Sequence, residues 1–86
     1  IVADYYNVTV DQIVGKARHR NVMIPRQVCM YLVKKELNQS YERIGLCFGG
    51  RNHTTVMHAC TKTAQSLKND LRLVRDINAI KREMGL

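Results

Sequence analysis

The fold of this chain is decided by one stretch, Phe48-Gly49-Gly50-Arg51-Asn52-His53-Thr54-Thr55-Val56-Met57-His58-Ala59-Cys60-Thr61-Lys62. Gly49 and Gly50 can adopt the positive φ values that end a helix sharply. Asn52 is a good N-cap residue, and its side-chain oxygen is expected to accept a hydrogen bond from the Thr55 amide. The stretch therefore predicts a tight turn followed by a helix.

The predicted helix has two different faces. Its apolar face, at helical spacing, consists of Val56, Ala59, Cys60, Thr63, Ala64 and Leu67. Its polar face has almost no acid and carries Asn52, His53, Thr54, Thr55, His58, Thr61 and Lys62. A helix in the major groove of DNA needs short side chains near its N-terminus to reach base edges and donors further along to hold phosphates. The polar face meets both needs.

A second helix is expected just before the glycine turn. Ser40 is a good N-cap, Glu42 lies in the first turn, and one apolar face contains Tyr41, Ile44, Gly45 and Phe48. This helix, the turn at Gly49 and Gly50, and the helix from His53 to about Lys68 together predict a helix-turn-helix.

The rest of the chain is also predicted to be helical. Ile1 to Tyr6 is a short helical end that Asn7 breaks, and Thr9 to Gln12 fits a capping box for a helix that Gly15 ends. Pro25 suits the first position of a central core helix reaching about Leu37. Asp70 is expected to cap a final amphipathic helix that ends at Gly85 and serves the packing of the domain, not contact with a partner. No strand-like alternation is present, so the predicted fold class is a compact all-α domain.

Periodicity also gives a list of expected core residues. In the central helix they are Val28, Cys29, Tyr31, Leu32, Val33 and Leu37, and in the last helix they are Leu71, Leu73, Val74, Ile77, Ile80 and Met84. The methionines are interpreted as core, and Cys47 as core or boundary.

The length of 86 residues favours one domain, and the net charge of +7 is unevenly placed. Residues 15–35 contain six basic side chains and no acid, which favours a polyanion partner, more commonly nucleic acid than a membrane. The alternative is a solvated basic face that aids solubility. Within this block, residues 16–24 predict a basic loop suited to phosphates or to an A/T-rich minor groove, with an ordinary surface loop as the alternative.

Other chemistries fit the sequence poorly. The three histidines and three cysteines offer no close ligand pair, so no metal site is expected. His53 has no nearby acid to orient it as a base, and the spacing of a phosphate-binding loop is absent, so neither catalysis nor nucleotide hydrolysis is expected here. An odd number of cysteines favours reduced thiols in a cytoplasmic protein, and no apolar run is long enough to span a membrane.

Gly49 to Ala59 resembles a signature of the C-terminal DNA-binding domain family of bacterial DnaA replication initiators: Gly-Gly-Arg-Asp/Asn-His-Thr-Thr-Val, an apolar residue, then His-Ala. Pro25-Arg26-Gln27 and the basic loop extend the resemblance. It implies a Trp-repressor-like helical unit that binds double-stranded DNA at a short asymmetric box close to TTATCCACA as a monomer. The start at Ile1 without methionine suggests an excised C-terminal domain; ATP and assembly would belong to missing domains, with no cofactor here.

The same resemblance implies residue roles. Arg18 would enter the minor groove, and the residues expected to contact major-groove bases are Arg26, Gln27, Asn52, His53, Thr54 and Thr55. Those expected to contact phosphates are Lys16, Arg20, Ser40, His58 and Lys62. For Arg51, capping or pairing with the backbone is an equal alternative to a DNA contact.

Two alternative functions remain open at this level. A dimeric helix-turn-helix repressor would need a second large apolar surface, and only the last helix could supply it. An RNA-binding module would favour exposed aromatic side chains, and the chain has five aromatic residues, most of them expected in the core. A gel-filtration mass near that of one chain would argue against the dimeric repressor.

Overall fold

The computed structural model of this chain describes residues 2–15 and 20–86. These residues form six α-helices in the order α1 (Val2–Tyr6), α2 (Val10–Val14), α3 (Arg20–Leu37), α4 (Tyr41–Cys47), α5 (His53–Ser66) and α6 (Leu71–Glu83). No strand occurs in either described range, and the predicted all-α class is confirmed. Within the same two ranges, no helix combines the length and the apolar character needed to cross a bilayer.

The predicted helix caps are largely confirmed. At α2, the Thr9 side chain accepts from the Gln12 amide at 3.0 Å while Gln12 accepts from the Thr9 amide, so the capping box is complete. The Ser40 hydroxyl caps α4 by accepting from the Arg43 amide. At α5, Asn52 Oδ1 accepts from the amide of Thr54 at 2.8 Å, not from that of Thr55 as predicted. Both amides lack an intrahelical acceptor at the start of a helix, and Asn52 accepts from the nearer one.

Helix α3 begins at Arg20, not at Pro25 as predicted. Pro25 cannot donate to the carbonyl of Asn21, which weakens this turn locally. Val22 is fully buried, however, and Pro25 is buried one turn later. The burial of this face stabilises a turn that local rules disfavour. The predicted basic loop therefore loses residues 20–24 to the helix, and its other positions, including Lys16 and Arg18, lie outside the described residues.

The core is built around α3, which packs against α5, α2 and α1. Its largest fully buried members are Met30, Ile44, Ile80, Val22, Val28 and Val56. Several predicted core residues are instead exposed: Leu37, Cys47, Ala64, Leu71, Met23 and Met57. Leu37 and Leu71 lie at helix ends, where the neighbouring helices no longer cover them. Met23 lies in the first turn of α3, where its side chain is only partly covered. Helical periodicity predicts which face is apolar but not how far a partner helix extends over it.

Helix α6 is joined to α1 by a hydrogen-bonded cluster. The Tyr5 hydroxyl donates to Asp76 Oδ1 at 2.7 Å, and the Tyr6 hydroxyl donates to Asp76 Oδ2 at 3.2 Å. Burial and the Asp76 carboxylate raise the pKa of Tyr6, so its hydroxyl stays protonated and keeps donating. Ile77 and Ile80 complete the buried side of α6. The structural role predicted for this helix is consistent with these contacts.

The helix-turn-helix of α4 and α5 depends on a close backbone approach at Gly45. The Arg51 amide donates to the Gly45 carbonyl at 2.9 Å, and a Cβ atom at Gly45 would lie 2.1 Å from the Arg51 carbonyl oxygen. Gly49 and Gly50 have φ values of +78° and +76°, as predicted for the sharp turn. Glycine at these positions brings the start of α5 against α4.

Candidate nucleic-acid interface

The N-terminal half of α5 presents a polar surface to solvent. Its exposed residues, which we call the recognition face, are Asn52, His53, Thr54, Thr55, His58 and Lys62. The opposite side of the same helix is held in the core by Val56, Cys60 and Thr63. This anchoring directs the recognition face toward solvent.

A concavity between α3 and α5 joins the recognition face to a second helix. Its volume is about 310 Å³, and we call it the interhelical hollow. Met23, Met30 and Ala59 contribute its apolar part, and its remaining lining residues are Arg26, Gln27, Arg51, Thr55, His58 and Lys62. No acid lines it. The structure thus brings Gln27 together with Thr55, His58 and Lys62, a grouping that the resemblance implied and that local sequence rules could not show.

The two polar groups of the Asn52 side chain, Oδ1 and Nδ2, are in different situations. Its Oδ1 accepts from the Thr54 amide and so caps the start of α5. Its Nδ2 group has no partner among the residues that the structure describes. The Nδ2 group of Asn52 can therefore donate to a base, which suits acceptor atoms such as purine N7.

Arg26 has a side chain that is already engaged inside the protein. It is 8% exposed, its Nε donates to the Ile13 carbonyl at 2.7 Å, and its Nη2 donates to the Gln12 carbonyl at 2.8 Å. These carbonyls lie at the C-terminal end of α2, where helical partners are lacking and a positive charge is favourable. Burial, and secondarily the charge of Arg51, lowers the pKa of the Arg26 guanidinium. A base contact by Arg26 would have to use the guanidinium N–H groups that do not donate to these two carbonyls.

Arg51 lies beside Arg26 and acts on the same segment. Its Nη2 donates to the carbonyl of Gly15, 36 residues away in sequence. Its Nε is buried with no hydrogen-bond partner in the described part of the chain. The alternative in which Arg51 pairs with the backbone is the one that the structure contains. Arg26 thus joins the end of α2 to α3, and Arg51 joins it to the helix-turn-helix.

Two of the other predicted phosphate contacts, Ser40 and Arg20, lie at helix starts. Ser40 is exposed at the start of α4, where its hydroxyl oxygen accepts from Arg43. Arg20 is the first residue of α3. Lys16 and the predicted minor-groove residue Arg18 fall outside the described ranges.

A larger groove, of about 470 Å³, borders the interhelical hollow and shares Gln27 and Lys62 with it. Two acids, Asp70 and Asp76, also line this groove, so it is less suited to a phosphate backbone than the acid-free hollow. Among the described residues, no group of three histidines, cysteines or acids is placed to hold a metal ion.

Comparisons with known proteins agree with this architecture. Residues 1–63 match the family model described as bacterial dnaA protein helix-turn-helix. The chain is 44% identical over 82 residues to the chromosomal replication initiator protein DnaA of Lactococcus lactis subsp. cremoris, covering 95% of this chain and 18% of that protein. It is 49% identical over 76 residues to the protein of that name from Methylobacillus flagellatus, covering 88% of this chain and 16% of the other. The chain thus spans less than a fifth of the curated relatives it matches.

Proposed function

This chain belongs to the bacterial DnaA helix-turn-helix family, and from that membership we propose that it binds double-stranded DNA sequence-specifically as the address module of a replication initiator. The proposed site is a short asymmetric box close to TTATCCACA. The observation that carries the proposal is the acid-free recognition face of α5 with Gln27 of α3 beside it.

The dimensions of α5 suit the major groove. A helix of 14 residues is about 21 Å long, and the groove of B-DNA is wide enough to admit it. With the N-terminus of α5 pointing at the base pairs, the short side chains of His53, Thr54 and Thr55 reach base edges. His58 and Lys62 lie one and two turns further on, where the helix leaves the groove and meets phosphates.

The charge distribution supports a DNA partner. In the part of the chain that the structure describes, the interhelical hollow contains cationic side chains and no carboxylate. The whole chain carries a net charge of +7. Such a surface attracts a polyanion and releases its counterions, which makes the affinity depend on salt. In this proposal Arg18 reads the minor groove, Lys16, Arg20 and Ser40 contact phosphates, and any ATP-dependent assembly belongs to other domains of a longer protein.

The proposal is tested by fluorescence anisotropy on a labelled duplex carrying TTATCCACA. A scrambled duplex of equal composition is the reference, and both are titrated over a salt series. We expect a preference of about a hundredfold or more near physiological salt. Equal affinities that collapse together as salt rises would reject sequence-specific recognition.

Removing a base-reading side chain is expected to act on one duplex only. His53→Ala or Thr54→Ala should weaken binding to the box by about 1–3 kcal/mol and leave binding to the scrambled duplex nearly unchanged. Gln65→Ala, an exposed polar residue near the end of the same helix, is the matched control. Equal losses on both duplexes would show that His53 and Thr54 do not read bases.

Removing a phosphate contact is expected to act on both duplexes. Lys62→Ala should lower the affinity for the box and for the scrambled duplex alike and reduce the salt slope by about one. Lys68→Ala removes the same charge from an exposed position just beyond α5 and should leave the slope nearly unchanged. If both variants alter the slope equally, Lys62 contributes only net charge and makes no phosphate contact.

A further inference from the structure

One apolar side chain lies exposed within the proposed DNA interface. Met23 is 42% exposed and lines the interhelical hollow together with Thr55, His58 and Lys62. Met23 and Gln27 are four residues apart on α3, so they lie on the same side of that helix one turn apart. None of the roles proposed above uses Met23.

We propose that Met23 contacts the C5-methyl group of a thymine in the major groove and so contributes to sequence specificity. The inference rests on the proposed function and adds a contact to it. In the major groove only thymine presents a methyl group, and it lies beside the O4 acceptor. The hollow offers the matching pair of features, an apolar thioether at Met23 and donors at Gln27, Thr55 and Lys62.

The neighbouring residue Ile24 shows that exposure alone does not define this position. Ile24 is 47% exposed on the same helical turn, but it lines the larger groove with Asp70 and Asp76 and not the interhelical hollow. Single exposed apolar residues are common on protein surfaces. Met23 differs because the side chains around it are those expected to contact DNA, and Ile24 therefore serves as its matched control.

The flexibility of methionine suits the proposed contact. Its unbranched side chain and polarizable sulfur adapt to a small apolar group without demanding one fixed rotamer. The α3 backbone that carries Met23 is held by the burial of Val22 and Pro25 on either side of it. Contact between the Met23 thioether and the thymine methyl group removes the apolar surface of both groups from water.

The test replaces each thymine of the box in turn with deoxyuridine, which deletes only the methyl group. For the unmodified protein we expect one replacement to weaken binding about fourfold, the effect of burying one methyl group. Met23→Ala should bind the thymine box more weakly and lose this discrimination, so that the two duplexes bind equally. Ile24→Ala should keep the fourfold difference, and Met23→Leu should retain most of it.

The outcomes separate the two levels of the proposal. If the unmodified protein does not prefer the box over the scrambled duplex, the proposed function is rejected. If it prefers the box but no deoxyuridine replacement matters, or if Met23→Ala keeps the full discrimination, only the role of Met23 is rejected. Since Met23 is partly exposed, Met23→Ala is expected to have the same thermal midpoint as the original protein. An unchanged midpoint shows that a loss of binding is not caused by unfolding.

Discussion

Gly45→Ala is expected to destabilise the domain by about 3 kcal/mol, the upper part of the range for an overpacked site. The new Cβ atom would lie 2.1 Å from the carbonyl oxygen of Arg51 and 3.2 Å from its carbonyl carbon. Both are backbone atoms, so no rotation of a side chain can relieve the clash. To accommodate the methyl group, α4 must move away from the start of α5, which lengthens the 2.9 Å hydrogen bond between the Arg51 amide and the Gly45 carbonyl.

The measurement is thermal or urea unfolding followed by circular dichroism. For a domain of this size, 3 kcal/mol corresponds to a lowering of the midpoint by roughly 12–24 °C. Gly50→Ala is the control, because φ at Gly50 is +76° and no atom of the described residues lies within 4 Å of an added Cβ. Its cost should be only about 1 kcal/mol, from the left-handed backbone conformation. A more stable Gly45→Ala variant, as helix propensity alone would give, contradicts the close approach.

Arg26→Met is expected to cost about 2 kcal/mol of folding stability. Methionine keeps a long apolar stem but removes the guanidinium, and with it the donors that the carbonyls of Gln12 and Ile13 use. Each buried carbonyl left without a partner costs about 1–3 kcal/mol, and the end of α2 is partly accessible to water, which reduces the sum. The measurement is urea unfolding at constant pH, with the midpoint and slope compared with the original protein.

Arg26→Met also discriminates between two roles of the arginine. If the guanidinium mainly supports α2, stability falls, and Arg26→Lys restores part of it through one donor group. If it is free to read a base, stability is unchanged and only the affinity for the box falls. Arg75→Met, a surface arginine on α6, controls for the loss of charge and should change stability by less than about 0.5 kcal/mol. Unchanged stability of Arg26→Met would reject the supporting role.

The helix boundaries show where local reasoning is sufficient. Thr9, Ser40 and Asp70 cap the helices that their sequence context predicted, and Asn52 caps α5 through the neighbouring amide. Capping joins atoms two or three residues apart, so the relevant physics is contained in a short window. The sequence predicts that α3 starts at Pro25, whereas it starts at Arg20. The earlier start depends on the burial of Val22, and that burial is provided by distant parts of the chain.

The candidate site divides in the same way. Exposure of His53, Thr54 and Thr55 follows from the periodicity of α5, because Val56, Cys60 and Thr63 fix the buried side. The engagement of Arg26 could not be foreseen, since its partners lie 13 and 14 residues away on another helix. An arginine side chain can donate equally well to a base, a phosphate or a backbone carbonyl, so the residue type alone does not predict its partner.

The amino-acid sequence was enough to infer the all-α class, the helix-turn-helix around Gly49 and Gly50, the polar side of α5 and the family to which the chain belongs. These features rest on turn chemistry, capping and helical periodicity, which act between near neighbours. Three further features required the packed structure: Gly45 must lack a side chain, Arg26 and Arg51 hold the end of α2, and Met23 stays exposed beside Gln27. Each of these depends on how closely two separate helices approach, and that distance is set by the packing of the whole core.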